Sequence, residues 1–227
     1  MRERIIVAID SPDLKTAENL ILSLNETEFF KIGLQSFLAF GDEITELIKE
    51  LGKKLFLDLK FKDIPNTVAG AVKSVLKYNP EFLTIHLSGG REMILRALEA
   101  SHQKKSLKIV GVTILTSLNK QDLEETGIDI DAKSAVLKLV ELGISCGVKY
   151  FVCSPKELEF LKERFGNEII LITPGIRPTW SSTDDQKRVF TPQKAISSGA
   201  DYLVIGRPVT GNDYPSKAFK RIVSEIT

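Results

Sequence analysis

The feature that most constrains this chain is an alternation, from end to end, of short apolar runs rich in β-branched residues with longer amphipathic stretches. The apolar runs read as strands at residues 5–9, 29–32, 54–59, 82–86, 108–114, 150–153, 169–173 and 202–205. Helical spacing fills the gaps at residues 12–24, 41–51, 67–77, 91–103, 130–146, 155–165 and 191–198, and a last helix is expected at 216–226. Leu51-Gly52 and Asn79-Pro80 mark helix stops, while Ser154-Pro155 and Thr191-Pro192 read as an N-cap followed by a first-turn proline. Strands that are each followed by helical sequence predict a parallel sheet. The run Leu55-Phe-Leu-Asp-Leu shows little polar alternation, as expected of a strand covered on both faces. With no linker, repeat or low-complexity block, residues 1–227 are expected to form one α/β domain, a single (β/α)8 barrel of the TIM type. An open doubly wound sheet is the competing architecture.

Charge narrows the partners. Lys plus Arg (31) nearly cancels Asp plus Glu (30), which gives no reason to expect nucleic acid or a membrane surface as partner. No apolar stretch reaches the roughly 18–20 residues that span a bilayer. The apolar run near the N-terminus is too short for a signal-peptide core, so a cytoplasmic protein is expected. Cys146 and Cys153 are too close in so large a chain to be a disulfide framework and are read as reduced and buried.

The strand ends are unusually polar, and in such barrels chemistry sits at those C-terminal ends. They carry Asp10, Lys31, Asp58 with Lys60, His86, Thr113 with Thr116, Arg177 after Thr173-Pro-Gly, and Gly206-Arg207. Period-2 alternation puts Asp58 and Lys60 on one face and Leu57 and Leu59 on the other. If the leucines pack under helices, the charged pair points into the barrel mouth. Burying charge there is costly unless the charges pair or serve a ligand. His86 reads as a rim or core residue rather than a base, His102 as solvated, and Trp180 as either a cover for the mouth or a surface-packed ring.

The stretch Asp58-Leu-Lys60-Phe-Lys-Asp63-Ile-Pro-Asn-Thr67 resembles the signature of the orotidine 5′-monophosphate decarboxylase family. Five further segments extend the resemblance over nearly the whole chain: Val-Ala-Ile-Asp10, Lys31-Ile-Gly, Leu-Thr116-Ser, Thr-Pro-Gly-Ile-Arg177-Pro and Val-Ile-Gly206-Arg207-Pro-Val-Thr. The resemblance implies that orotidine 5′-monophosphate is converted to UMP and CO2, the last step of UMP synthesis, without cofactor or metal. Lys31, Asp58, Lys60 and Asp63 are similar to the family's charged catalytic array. Asp63 and Thr67 are expected to cross a homodimer interface into the partner's site. Asp10 resembles a ribose ligand, shared with Lys31, and Thr116 the hydroxyl beside the pyrimidine. Gln186, Gly206 and Arg207 resemble the phosphate grip, bordered by Arg177. The polar stretch 178–188 has no helical or strand period and is expected to be a mobile lid over the phosphate.

Loss of CO2 from the pyrimidine leaves a carbanion with no neighbouring carbonyl to share its charge. Lys60 suits the two needs, a fixed positive charge and a proton, and its acidic neighbours favour the ammonium. One well-aimed electrostatic donor is worth about 3–4 kcal/mol, so positioning through the phosphate must supply much of the rest. Three rivals remain open at this point. A magnesium-dependent sugar-phosphate enzyme of the same superfamily would want a carboxylate where Lys31 stands. A Schiff-base aldolase would want a lysine of depressed pKa. A non-catalytic phosphometabolite-binding barrel would keep Arg207 but has little use for the charged array.

Overall fold

The computed structural model describes residues 1–181 and 190–227. Among them, eight parallel strands close into a barrel in sequence order, with β1 pairing both β2 and β8. The strands are β1 (Ile5–Ile9), β2 (Phe29–Gly33), β3 (Lys54–Phe61), β4 (Phe82–His86), β5 (Lys108–Val112), β6 (Tyr150–Val152), β7 (Ile170–Thr173) and β8 (Tyr202–Ile205). The helices are α1 (Leu14–Ser23), α2 (Leu34–Glu50), α3 (Pro65–Val75), α4 (Arg91–Ser101), α5 (Lys120–Glu125), α6 (Ala132–Cys146), α7 (Leu158–Phe165), α8 (Pro192–Ser197), α9 (Arg207–Thr210) and α10 (Pro215–Glu225). This is a (β/α)8 barrel, and the open-sheet alternative falls.

Local chemistry sets many of the boundaries. The Asp13 carboxylate accepts the Thr16 N–H at 2.9 Å to start α1, and Asp131 does the same for Ser134 at the start of α6. Asn119 and Asp122 form a reciprocal capping box at α5. Thr191 caps α8 ahead of Pro192, as its sequence suggests. Three expectations need correction. The helix expected at 41–51 is present, but a further helical stretch from Leu34 precedes it, the two joined at a kink where Phe40 leaves helical geometry (φ −157°, ψ 41°). The fifth strand stops at Val112, two residues short of Ile114. Cys146 is only partly buried, whereas Cys153 is buried.

Strand parity divides the core in two. Every residue of β1 is buried: Ile5, Val7 and Ile9 pack outward against helices, and Ile6 and Ala8 point into the barrel. The inward set forms an aromatic plug. Phe82 stands at its centre, with ring centroids 4.9 Å from Phe29, 5.6 Å from Phe56, 5.3 Å from Tyr150 and 5.4 Å from Tyr202. Fully burying one such ring stabilises the fold by about 1.5–3 kcal/mol. The next inward positions above the plug, toward the C-terminal strand ends, form the site.

Candidate active site

Extending each strand's inward parity past the plug names the residues of a cavity at the C-terminal mouth of the barrel. On β1 the inward series Ile6, Ala8 continues to Asp10; on β2, Phe29 continues to Lys31; on β3, Phe56 continues to Asp58. The cavity has a volume of about 370 Å³. Its floor is apolar, formed by Ala8, Phe56, Val112, Val152 and Val204, and its rim carries Asp10, Lys31, Asp58, Lys60, Arg177 and Arg207. Such a shape excludes water below and presents fixed charges above, where electrostatic interactions are strongest.

The charges form a chain of alternating sign. Lys31 Nζ lies 3.4 Å from Asp10 Oδ1 and 3.4 Å from Asp58 Oδ2, while Lys60 Nζ lies 2.7 Å from Asp58 Oδ1. The Lys31 and Asp58 side chains are only 10% and 13% exposed, so neither could stand unpaired. Burial alone pushes the Asp58 carboxyl upward, but Lys31, then Lys60, together with hydrogen bonds from Lys60 and Thr84, outweigh it and hold the group below its ordinary value. Asp58 is therefore an anion at neutral pH.

Lys60 reaches this position by a route that alternation does not foresee. It adopts φ +50°, one of two non-glycine residues with positive φ among those described. Here β3 advances four positions, Leu57 to Phe61, while β4 advances two, Leu83 to Ile85. The backbone N–H of Lys60 turns to the Thr84 hydroxyl at 2.8 Å, and that hydroxyl donates to Asp58 Oδ1 at 3.0 Å. A left-handed conformation costs a side-chain-bearing residue about 1–2 kcal/mol and persists where surrounding contacts fix it.

Two residues to which the sequence reading gave no role of their own shape the site. Thr84 is fully buried, and its inward parity with Phe82 marked it as a polar side chain in an apolar strand. Gly33 has an ordinary φ of −85°, so backbone freedom does not explain it. A Cβ there would sit 3.0 Å from Asp10 Oδ1 and 3.2 Å from Lys31 Nζ, and its absence leaves room for that ion pair.

Of the other expected residues, Thr116 and Gly206 line the cavity with Arg177 and Arg207. Arg177 is buried, donating from Nη1 to the Ile176 carbonyl at 3.1 Å, and its N–H bonds Phe190 O at 2.9 Å. Arg177 and Arg207 also face a second hollow with Trp180, Ser181, Gly211 and Asn212. Asp63 and Thr67 do not join the array within one chain; both are exposed on the rim, and Asp63 Oδ1 accepts the Ile64 N–H. Gln186 and most of the stretch 178–188 lie outside the described residues. Trp180, at its start, packs on α10: its Nε1 donates to Glu225 at 2.7 Å and the Arg221 guanidinium lies 4.7 Å from the ring centroid.

His86 is half-buried, and burial, then Lys62 and Lys60, lower its pKa, so it is neutral and suits a rim role. It borders a neighbouring, mostly apolar cavity of about 560 Å³ with Lys62, Leu115, Leu118 and Ile130. No helix of the described residues is long and apolar enough to cross a membrane.

Comparison with known proteins agrees with this geometry. Residues 3–222 match the model of the Orotidine 5′-phosphate decarboxylase / HUMPS family. The orotidine 5′-phosphate decarboxylase of Gloeothece citriformis is 41% identical over 228 residues, covering 100% of this chain and 98% of that protein. That of Idiomarina loihiensis is 43% identical over 225 residues, covering 98% and 97%. The crystal structure of orotidine 5′-phosphate decarboxylase from Lactobacillus acidophilus superposes with a TM-score of 0.88 at 30% identity, covering 99% of each chain. A charged lysine–aspartate array over an apolar barrel floor, and sequence likeness along almost the full length, lead to one conclusion: the chain belongs to the orotidine 5′-phosphate decarboxylase / HUMPS family.

Proposed function

We propose that this enzyme decarboxylates orotidine 5′-phosphate to UMP and CO2, the closing reaction of pyrimidine nucleotide synthesis, with no cofactor beyond its own side chains. The observation that carries the reading is the Lys31–Asp58–Lys60 chain of charges above an apolar floor, in a cavity that also holds Arg207. The C6–carboxyl bond breaks and its electron pair stays on C6. The Lys60 ammonium stabilises that pair and then transfers a proton to C6; solvent reprotonates the amine. Asp58, kept ionised, holds Lys60 in place and sets a negative charge beside the departing carboxylate. Asp10 and Lys31 bind ribose hydroxyls, and Thr116 approaches the base. The Gly206 backbone and Arg207 grip the phosphate with Arg177 alongside, so that binding energy remote from C6 fixes the ring.

A magnesium-dependent reading is disfavoured by Lys31, whose ammonium stands 3.4 Å from both Asp10 and Asp58, where a dication would need those carboxylates for itself. A Schiff-base role for Lys60 is disfavoured by its 2.7 Å pairing with Asp58, which engages the nitrogen that would have to attack a carbonyl.

The working unit is a homodimer, with Asp63 and Thr67 completing the partner's site. Apolar residues exposed around the same rim support this reading: Leu38 is 75% and Ile64 68% exposed, and Leu34, Leu115 and Ile130 accompany them. A cytoplasmic setting fits two cysteines that are both free thiols. Adding orotidine 5′-phosphate to chelator-treated protein tests the central reading. CO2 release with UMP formation is expected. UMP binding without turnover would favour a binding barrel, and activity that needs added magnesium would favour the metal-dependent rival.

A further inference from the structure

The Thr84 hydroxyl has one proton to give and lone pairs to receive, and its neighbours fix which goes where. An ionised Asp58 can only accept, so Thr84 donates to Oδ1 at 3.0 Å; a backbone N–H can only donate, so Thr84 accepts from Lys60 at 2.8 Å. Because Lys60 Nζ returns to the same Oδ1 at 2.7 Å, the three residues close a ring: Lys60 backbone, Thr84 hydroxyl, Asp58 carboxylate, Lys60 ammonium. The ring sits where β3 carries two residues more than β4 and Lys60 takes its left-handed φ, a point at which the strand ladder itself does not hold the backbone.

Thr84 does not line the substrate cavity, so it acts from beneath it. Resting on the decarboxylase reading, we infer that Thr84 is a positioning residue. Its buried hydroxyl fixes the Lys60 backbone turn and the Asp58 carboxylate together, and so sets where the Lys60 ammonium meets the reacting carbon. A purely structural hydroxyl would satisfy the Lys60 N–H and leave Asp58 unaffected. This one also stabilises the ionised carboxylate, alongside Lys31 from β2 and Lys60 itself, with Asp10 beyond Lys31 and His86 nearby on β4.

The test uses Thr84→Val, which keeps the shape and loses both hydrogen bonds, and Thr84→Ser, which keeps both. Thr84→Ala replaces Thr84→Val if the valine protein does not fold. Charge-assisted hydrogen bonds of this kind predict that Thr84→Val lowers kcat by about tenfold to a hundredfold with KM changed less than about threefold. Thr84→Ser should stay close to wild type. A carbon-13 titration of the Asp58 carboxyl, which needs no substrate, should show its midpoint displaced upward in Thr84→Val. Wild-type kcat in Thr84→Val overturns the inference. So does a serine variant as slow as the valine one, and so does a fall in kcat with an unmoved Asp58 midpoint. If the wild-type protein released no CO2 from orotidine 5′-phosphate, the proposed function would fail, and the carbon-13 titration would still decide the Thr84–Asp58 coupling.

Discussion

Replacing Lys60 by alanine removes the ammonium on which the proposed chemistry rests, and the structure sets the scale of the effect. Lys60 makes the shortest ionic contact of Asp58, 2.7 Å, against 3.4 Å for Lys31. Loss of an electrostatic donor aimed at developing charge costs about 3–4 kcal/mol, and loss of a positioned general acid costs a further ~10²–10⁴-fold. At about 1.36 kcal/mol per decade, the first effect alone is about two to three orders of magnitude in rate. The two roles share one nitrogen, so their sum is an upper bound, and a fall in kcat of at least about a thousandfold is expected. Stability should change little. Lys60 is 36% exposed, and Asp58 keeps Lys31 and the Thr84 hydroxyl, so a loss of about 1 kcal/mol is expected. In a chain of this size that lowers Tm by about 2–4 °C. UMP affinity should survive, since Arg207 and the Gly206 backbone are untouched. Turnover is followed by labelled CO2 release, affinity by calorimetry and folding by thermal melts. A variant that turns over within about tenfold of wild type would refute the assignment.

Other perturbations read separate parts of the site. Arg207→Ala should weaken UMP by about tenfold to a hundredfold while leaving uridine nearly unchanged, as paired calorimetric titrations would show. Gly33→Ala should press on Asp10 and Lys31 and lower kcat/KM with little loss of Tm, because the alanine backbone fits φ −85° and only the ion pair must yield. Asp58 has a depressed folded-state pKa, so its contribution to stability is fully present above its unfolded value, about 4, and is lost as pH falls through the lower folded value. Asp58→Asn should accordingly be less stable than wild type at neutral pH, and the gap should close on acidification below about pH 4 in thermal melts. Mixing Lys60→Ala with Asp63→Ala protein should restore about a quarter of wild-type activity if Asp63 acts across a dimer, since half the dimers are hybrids with one complete site each. No recovery would place Asp63 in its own chain's chemistry.

The barrel was legible because its eightfold rhythm is a property of local sequence, and the mouth was legible because inward parity carries Ala8 to Asp10 and Phe56 to Asp58. What escaped the reading depends on partners distant in the chain or on elements too short to show a period. The six-residue α5 and four-residue α9 span too few turns to establish an amphipathic phase. The helical stretch from Leu34 to the kink at Phe40 is likewise too short to show a phase of its own. Lys60 does join Asp58, but not by simple alternation. Its turned backbone answers to Thr84, 24 positions away, and to a strand register that only the folded barrel defines. Gly33 escaped because its meaning lies in the space between Asp10 and Lys31.

The most direct test of the central claim is a crystal structure with UMP bound, in which the distance from Lys60 Nζ to C6 of the base is measured. Proton delivery requires that nitrogen within about 3–3.5 Å of C6, over the apolar floor of Phe56 and Val152. A UMP seated in the cavity with Lys60 Nζ turned away, beyond about 6 Å from C6, would contradict the account.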